Sequence, residues 1–182
     1  EGSPAWLYGL HQTRLTRIVG GGAATPLTRK DDGYEVCEDV GGDKACNLYT
    51  GFVADGTGKL QTFTVNGRPW ADLIVAGGEP VESAGISVKL VTAYQAASGR
   101  LFLLLEVRNN TDQPVPSGNA LYLTADGRQV EPEGSGLFDD VRPGATAEDF
   151  AAFPSVERGG TLLYSTYTND FQNEVEIRVP VP

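Results

Sequence analysis

Between residues 84 and 182, turn signals recur every eight to twelve residues, a rhythm that leaves room for short strands and little room for helices. Residues 86–94 and 100–107 flank an Ala96-Ala97-Ser98-Gly99 turn. The second stretch contains Leu101-Phe102-Leu103-Leu104-Leu105, almost continuously apolar, as a central sandwich strand must be. Asn109-Asn110-Thr111-Asp112-Gln113-Pro114 then breaks the ladder, because Asn and Asp side chains satisfy backbone groups where a buried strand leaves its sheet. Residues 121–124 and 129–130 flank Ala125-Asp126-Gly127-Arg128, a two-residue hairpin signal. Arg142-Pro143-Gly144 is a turn before a strand at 147–153, and further strands fall at 161–167 and 175–179. The pattern predicts a mainly β chain with an immunoglobulin-like antiparallel β-sandwich over residues 84–182.

The preceding residues add a smaller β-rich region. In residues 34–83, strands at 34–37 and 46–53 flank a pair of cysteines, and Asp55-Gly56-Thr57-Gly58 turns the chain into a strand at 60–65. Asn66-Gly67 is another turn, and 70–75 reads as a further strand closed by Gly77-Gly78-Glu79-Pro80. Residues 1–33 form a lead-in segment. Trp6, Leu7, Leu10, Leu15 and Ile18 give a weak helical spacing that Gly20-Gly21-Gly22 ends.

Cys37 and Cys46 are the only cysteines, and His11 is the only histidine. That set cannot build a Cys/His zinc site, and a redox motif would have C-x-x-C spacing. A disulfide closing the Gly41-Gly42 turn is expected, and it places the chain in an oxidising, extracellular or cell-surface compartment. The longest apolar run is far short of the roughly 18 residues of a membrane span. The chain reads as a mature or truncated ectodomain, with any targeting segment, membrane anchor or lipid anchor upstream.

Net charge is −10, which argues against nucleic-acid binding and against anionic lipid surfaces. Residues 1–30 run against this trend, with Arg14, Arg17, Arg29 and Lys30 opposed only by Glu1.

Catalytic signatures are sparse. Arg17-Ile18-Val19-Gly20-Gly21 imitates the activation site of trypsin-like proteases, but no histidine follows it and no Gly-Asp-Ser-Gly-Gly occurs. No G-x-S-x-G, phosphate-binding loop or dinucleotide fingerprint is present. Acidic turns at Asp31-Asp32, Asp39, Asp43, Asp55 and Asp139-Asp140 lack the D-x-D-x-D-G spacing of a calcium loop. No cofactor, metal site or catalytic residue is expected. The aromatic stretch near the last strand offers candidate binding residues instead, Tyr164, Tyr167 and Phe171; Tyr167 falls near a loop and can present its ring, whereas Tyr164 and Phe171 also read as core. Trp6 and Trp70 read as core or docking residues, and Asn109-Asn110-Thr111 is an N-glycosylation pattern.

Four pieces in order carry a family resemblance: the strand at 101–107 running into Arg108-Asn109-Asn110-Thr111-Asp112, the Leu123-Thr124-Ala125-Asp126-Gly127-Arg128 hairpin, Arg142-Pro143-Gly144, and Ala152-Phe153-Pro154. With these, residues 84–182 resemble the bacterial secreted immunoglobulin-like domains of the DUF4352 group, whose sandwich is shared with a mycobacterial secreted antigen (an MPT63-like sandwich). The resemblance implies a fold and an export history, and transfers no catalytic residue. The expectation is a non-enzymatic extracellular binding or scaffolding protein whose partner is a protein or a cell-envelope component. Two rivals are a secreted hydrolase working through paired carboxylates, and a protease inhibitor presenting the Cys37–Cys46 loop as a rigid bait.

Overall fold

A computed structural model describes residues 4–19, 27–40, 43–135, 140–168 and 173–182. The chain is mainly β, with antiparallel sheets and a single α-helix among the described residues, and it divides into two compact units, Glu1–Ile74 and Val75–Pro182.

The N-terminal unit opens with α1, Pro4–Ile18, in which the expected helical spacing is realised. Five strands follow: β1 (Thr28–Lys30), β2 (Gly33–Val40), β3 (Asp43–Ala54), β4 (Leu60–Val65) and β5 (Arg68–Pro69). They form one sheet in sequence order. The strand expected at 70–75 begins instead as a 3-10 turn, Trp70–Asp72, and only then extends as β6, Ile74–Ala76, at the junction of the two units. Pro69, which has no N–H to give a ladder, ends β5, and Leu73 donates its N–H back to the Trp70 carbonyl.

The C-terminal unit contains β7 (Val81–Ser83), β8 (Ile86–Gln95), β9 (Leu101–Asn109), β10 (Asn119–Leu123), β11 (Gln129–Val130), β12 (Gly134–Ser135), β13 (Thr146–Phe153), β14 (Thr161–Thr168) and β15 (Asn173–Pro180). One sheet runs β12-β13-β9-β8 and the other β11-β10-β14-β15. With β8 taken as strand A, this is the D-E-B-A and C′-C-F-G order of an immunoglobulin sandwich. The core lies between these sheets, with Val88, Leu90, Leu103 and Leu105 from the first and Tyr122, Leu162, Tyr164 and Ile177 from the second. Leu103, Leu104 and Leu105 are all buried, so β9 is covered on both faces, as its continuous apolar run predicts. Burying each such leucine contributes about 2 kcal/mol.

Three hairpins use one turn. At Asp55–Lys59, Ala96–Arg100 and Thr124–Arg128, the first residue donates its N–H to the fifth residue's carbonyl and the fourth donates back to the first. The fourth residue is Gly58, Gly99 or Gly127, each with φ between 80° and 88°. That left-handed position demands glycine and makes these three-residue loops, including the 125–128 turn that sequence alone suggests to be two-residue.

Two tyrosines lock the sandwich loops. The Tyr122 hydroxyl donates to the Glu157 carbonyl at 2.9 Å and accepts the Gly160 N–H at 2.9 Å. It thus fastens strand β10 to the loop between β13 and β14, and burial pushes its phenol pKa up. The Tyr164 hydroxyl accepts the Gly118 N–H, and Gly118 leaves no room for a Cβ against that ring.

Candidate binding surface

The N-terminal sheet carries an aromatic row. Tyr34 of β2 opposes Tyr49 of β3, and Tyr49 opposes Val65 of β4, so the three share a face. Strict alternation from Tyr49 would send Phe52 to the other face, with Thr50. The β3–β4 register instead shifts between Thr50 and Val53, and Gly51 takes φ 63° there. A bulge built on a left-handed glycine returns Phe52 to the Tyr49 face.

The ring contacts follow from that bulge. Tyr34 meets Phe52 edge-on at 6.0 Å, Phe52 stacks on Phe63 at 5.9 Å, and Phe63 stacks on Trp70 at 5.4 Å. Helix α1 covers the inner part, where Tyr8 packs edge-on against Phe63 at 5.6 Å and its hydroxyl bonds to that of Tyr49 at 2.9 Å. Phe63 and Trp70 are buried, while Tyr34 and Phe52 stand 43% and 44% exposed. Every large hydrophobic residue exposed among the described residues belongs to this unit, including Trp6, Leu27, Val53 and Leu60. Contiguous exposed apolar surface marks interaction sites.

His11 anchors the helix. It is fully buried, and burial pulls its pKa down to about 4, so the imidazole is neutral at pH 7. A buried neutral ring under a helix is packing, not a solvent-facing base.

Beyond the Glu35–Leu48 pair the β2–β3 hairpin continues without a third strand among the described residues. β1 pairs no further than Glu35, and the β4 side closes at Leu48. Asn66 takes both polar groups of Leu48, donating its N–H to the Leu48 carbonyl and accepting the Leu48 N–H on Oδ1. Cys37 and Cys46 oppose each other directly in this two-stranded ribbon and form the expected disulfide. Pairing runs on to Val40 and Asp43, so the segment between the cysteines is ladder, with Gly41 and Gly42 outside the described residues. The Glu35 carboxylate and both sulfurs lie within 4.8 Å of one another. The sulfurs are bonded to each other and offer no thiolate to a metal.

Of the acidic turns, that at Asp55 has a structural role. Asp55 Oδ1 accepts the Thr57 hydroxyl, the Thr57 N–H and the Lys59 N–H, and Oδ2 accepts Gln61. Those bonds, that of the Thr57 hydroxyl foremost, hold its carboxyl below the usual range. Asp126 is held low in the same way, chiefly by Thr124. In the sandwich, a cleft of about 400 Å³ between residues 111–115 and the facing ends of β14 and β15 is lined by Asp112 and Glu174. Both acids are exposed.

Of the three aromatic residues singled out from sequence, the two that are described lie on opposite faces of β14. Tyr164 is 1% exposed, and burial together with the Asp149 carboxylate pushes its phenol pKa up. Tyr167 is half-buried and lies three residues along β14, on the opposite face by strand alternation. Phe171 lies outside the described residues. The glycosylation pattern has a structural origin: Asn109 is fully buried, its amide donates to the carbonyls of Gln113 and Val141, and its oxygen accepts the Thr111 N–H and hydroxyl. Arg17 and Ile18 of the protease-like motif are the last turn of α1.

Sequence reasoning missed the Tyr34–Phe52 pair because strand period alone puts Phe52 on the wrong face. The signal available was Gly51 inside an otherwise β-rich run. No helix among the described residues is long and apolar enough to cross a membrane. No family model, curated protein or solved structure matches the chain.

Proposed function

We propose that this chain is a non-enzymatic extracellular binding or scaffolding protein whose contact surface is the Tyr34–Phe52 end of the aromatic row, and that its partner is a protein. The observation that carries the reading is the confinement of exposed large hydrophobics to the N-terminal unit. The two exposed rings meet at an interplanar angle of 69°, which makes a notch for an inserted side chain. A protein partner is favoured because large aromatic side chains that are part buried and part exposed are the residues that anchor protein interfaces. Arg29 opposes Tyr34 across β1 and β2, and Lys30, Asp31 and Asp32 follow it, so charges of both signs rim the apolar anchor. The C-terminal unit is acidic, with 7 Lys and Arg against 15 Asp and Glu in Val75–Pro182.

Secretion, attachment at a bacterial surface and kinship with the DUF4352 group belong to the same proposal. The disulfide and the immunoglobulin strand order support them.

The test is selection of a displayed random-peptide library against the full chain. Enriched peptides should share one large apolar residue. They should lose at least tenfold in affinity on Tyr34→Ser with Phe52→Ser, while the far-ultraviolet circular dichroism is unchanged. Enrichment of peptides indifferent to that double variant would overturn the reading.

A further inference from the structure

We propose that the Cys37–Cys46 disulfide is a site of thiol–disulfide exchange on the folded protein, and that its reductant is an uncharged or cationic dithiol. The proposal does not depend on what the aromatic notch binds.

Placement is the first ground. The bond ties the part of the β2–β3 hairpin that no third described strand supports, whereas the sheet proper begins at the Tyr34–Tyr49 and Thr50–Thr64 pairs. A two-stranded ribbon is marginal alone in water. Breaking the bond therefore loosens the ribbon, while the aromatic cluster of Tyr8, Tyr49, Phe63 and Trp70 keeps its own contacts. A bond that staples a whole fold could not open in this way.

Access is the second ground. Cys46 is exposed and Cys37 is half-buried. A thiolate of the dithiol attacks Cys46 Sγ; the S–S bond breaks, Cys37 leaves as thiolate and takes a proton, and a mixed disulfide forms. The second thiol of the reductant then attacks its own sulfur in that mixed disulfide. Cys46 is released as a thiol and the reductant leaves as a cyclic disulfide. Two electrons pass from the dithiol to the cystine, and no further reactant is needed.

Charge supplies the selectivity. The Glu35 carboxylate sits beside both sulfurs. An anionic monothiol such as glutathione is repelled from this site, and lacks the second thiol that resolves the intermediate. Lys30 pairs with Glu35 at 2.9 Å, but both side chains are partly exposed and the screening is partial.

The experiment measures reduction of the full chain by dithiothreitol and by glutathione at pH 8, in buffer and in 8 M urea, by alkylation and mass. In buffer, dithiothreitol should reduce the bond within about threefold of its rate in urea, and glutathione should be at least tenfold slower than dithiothreitol. Glu35→Gln should narrow that gap. The near-ultraviolet dichroism of the aromatic cluster should persist after reduction, while amide exchange accelerates only within residues 36–47. A native rate a hundredfold below the urea rate, or loss of the aromatic signal on reduction, would overturn the proposal. Cys37→Ser with Cys46→Ser supplies the reduced state without reagent; if that variant cannot be purified, the wild-type rates still decide the matter.

Discussion

The ring of Phe52 stacks on that of Phe63 with centroids 5.9 Å apart, yet Phe63 is buried and Phe52 is 44% exposed. The contact joins the hydrophobic interior of the N-terminal unit to its surface, and it exists because Gly51 is left-handed. Gly51→Ala should cost about 1–2 kcal/mol, the penalty of forcing a Cβ into that region. Urea unfolding followed by tryptophan fluorescence checks the cost, since Trp6 and Trp70 both lie in the N-terminal unit. The variant should also weaken the library-selected peptides by re-aiming Phe52.

Tyr122→Phe should destabilise the sandwich by about 1–3 kcal/mol, because the Glu157 carbonyl and the Gly160 N–H both lose the hydroxyl that satisfies them. Gly160 packs against the same ring with no room for a Cβ, so Gly160→Ala should be at least as harmful. Denaturant midpoints of the two variants provide the comparison.

Asn109→Ala should cost about 1–3 kcal/mol by stripping partners from Gln113, Val141 and Thr111. Expression through a eukaryotic secretory pathway should leave Asn109 unmodified in the folded protein, since its amide nitrogen is buried and doubly engaged. Intact mass decides this directly.

Much of the sandwich is legible from sequence because each of its strands buries one face, so period-two alternation and glycine turns carry the signal. The run at 101–105 even announces burial on both sides. Legibility fails where one backbone residue changes the count. Gly51 flips Phe52 between faces, Gly127 lengthens a hairpin loop by one residue, and Pro69 turns the start of an apparent strand into a 3-10 turn. The sequence leaves Tyr164 open between core and surface; residues three apart on a strand point to opposite faces, and Tyr164 is the inward one of the Tyr164–Tyr167 pair.

Acid should weaken the N-terminal unit through His11. Its folded pKa of about 4 lies below the ordinary 6.5, so the unfolded state binds more protons between those values. The stabilisation is fully present above pH 6.5 and is lost as pH falls toward 4, amounting to about 3 kcal/mol over that window. A His11→Leu variant should flatten the pH dependence of unfolding monitored by tryptophan fluorescence.

The most direct measurement on the proposed function is hydrogen–deuterium exchange of the full chain with and without a saturating selected peptide. The proposal predicts slowed exchange in residues 33–37 and 49–54, with none at 164–168 or 173–175. Protection confined to the ends of β14 and β15 would contradict it and move the binding surface to the sandwich.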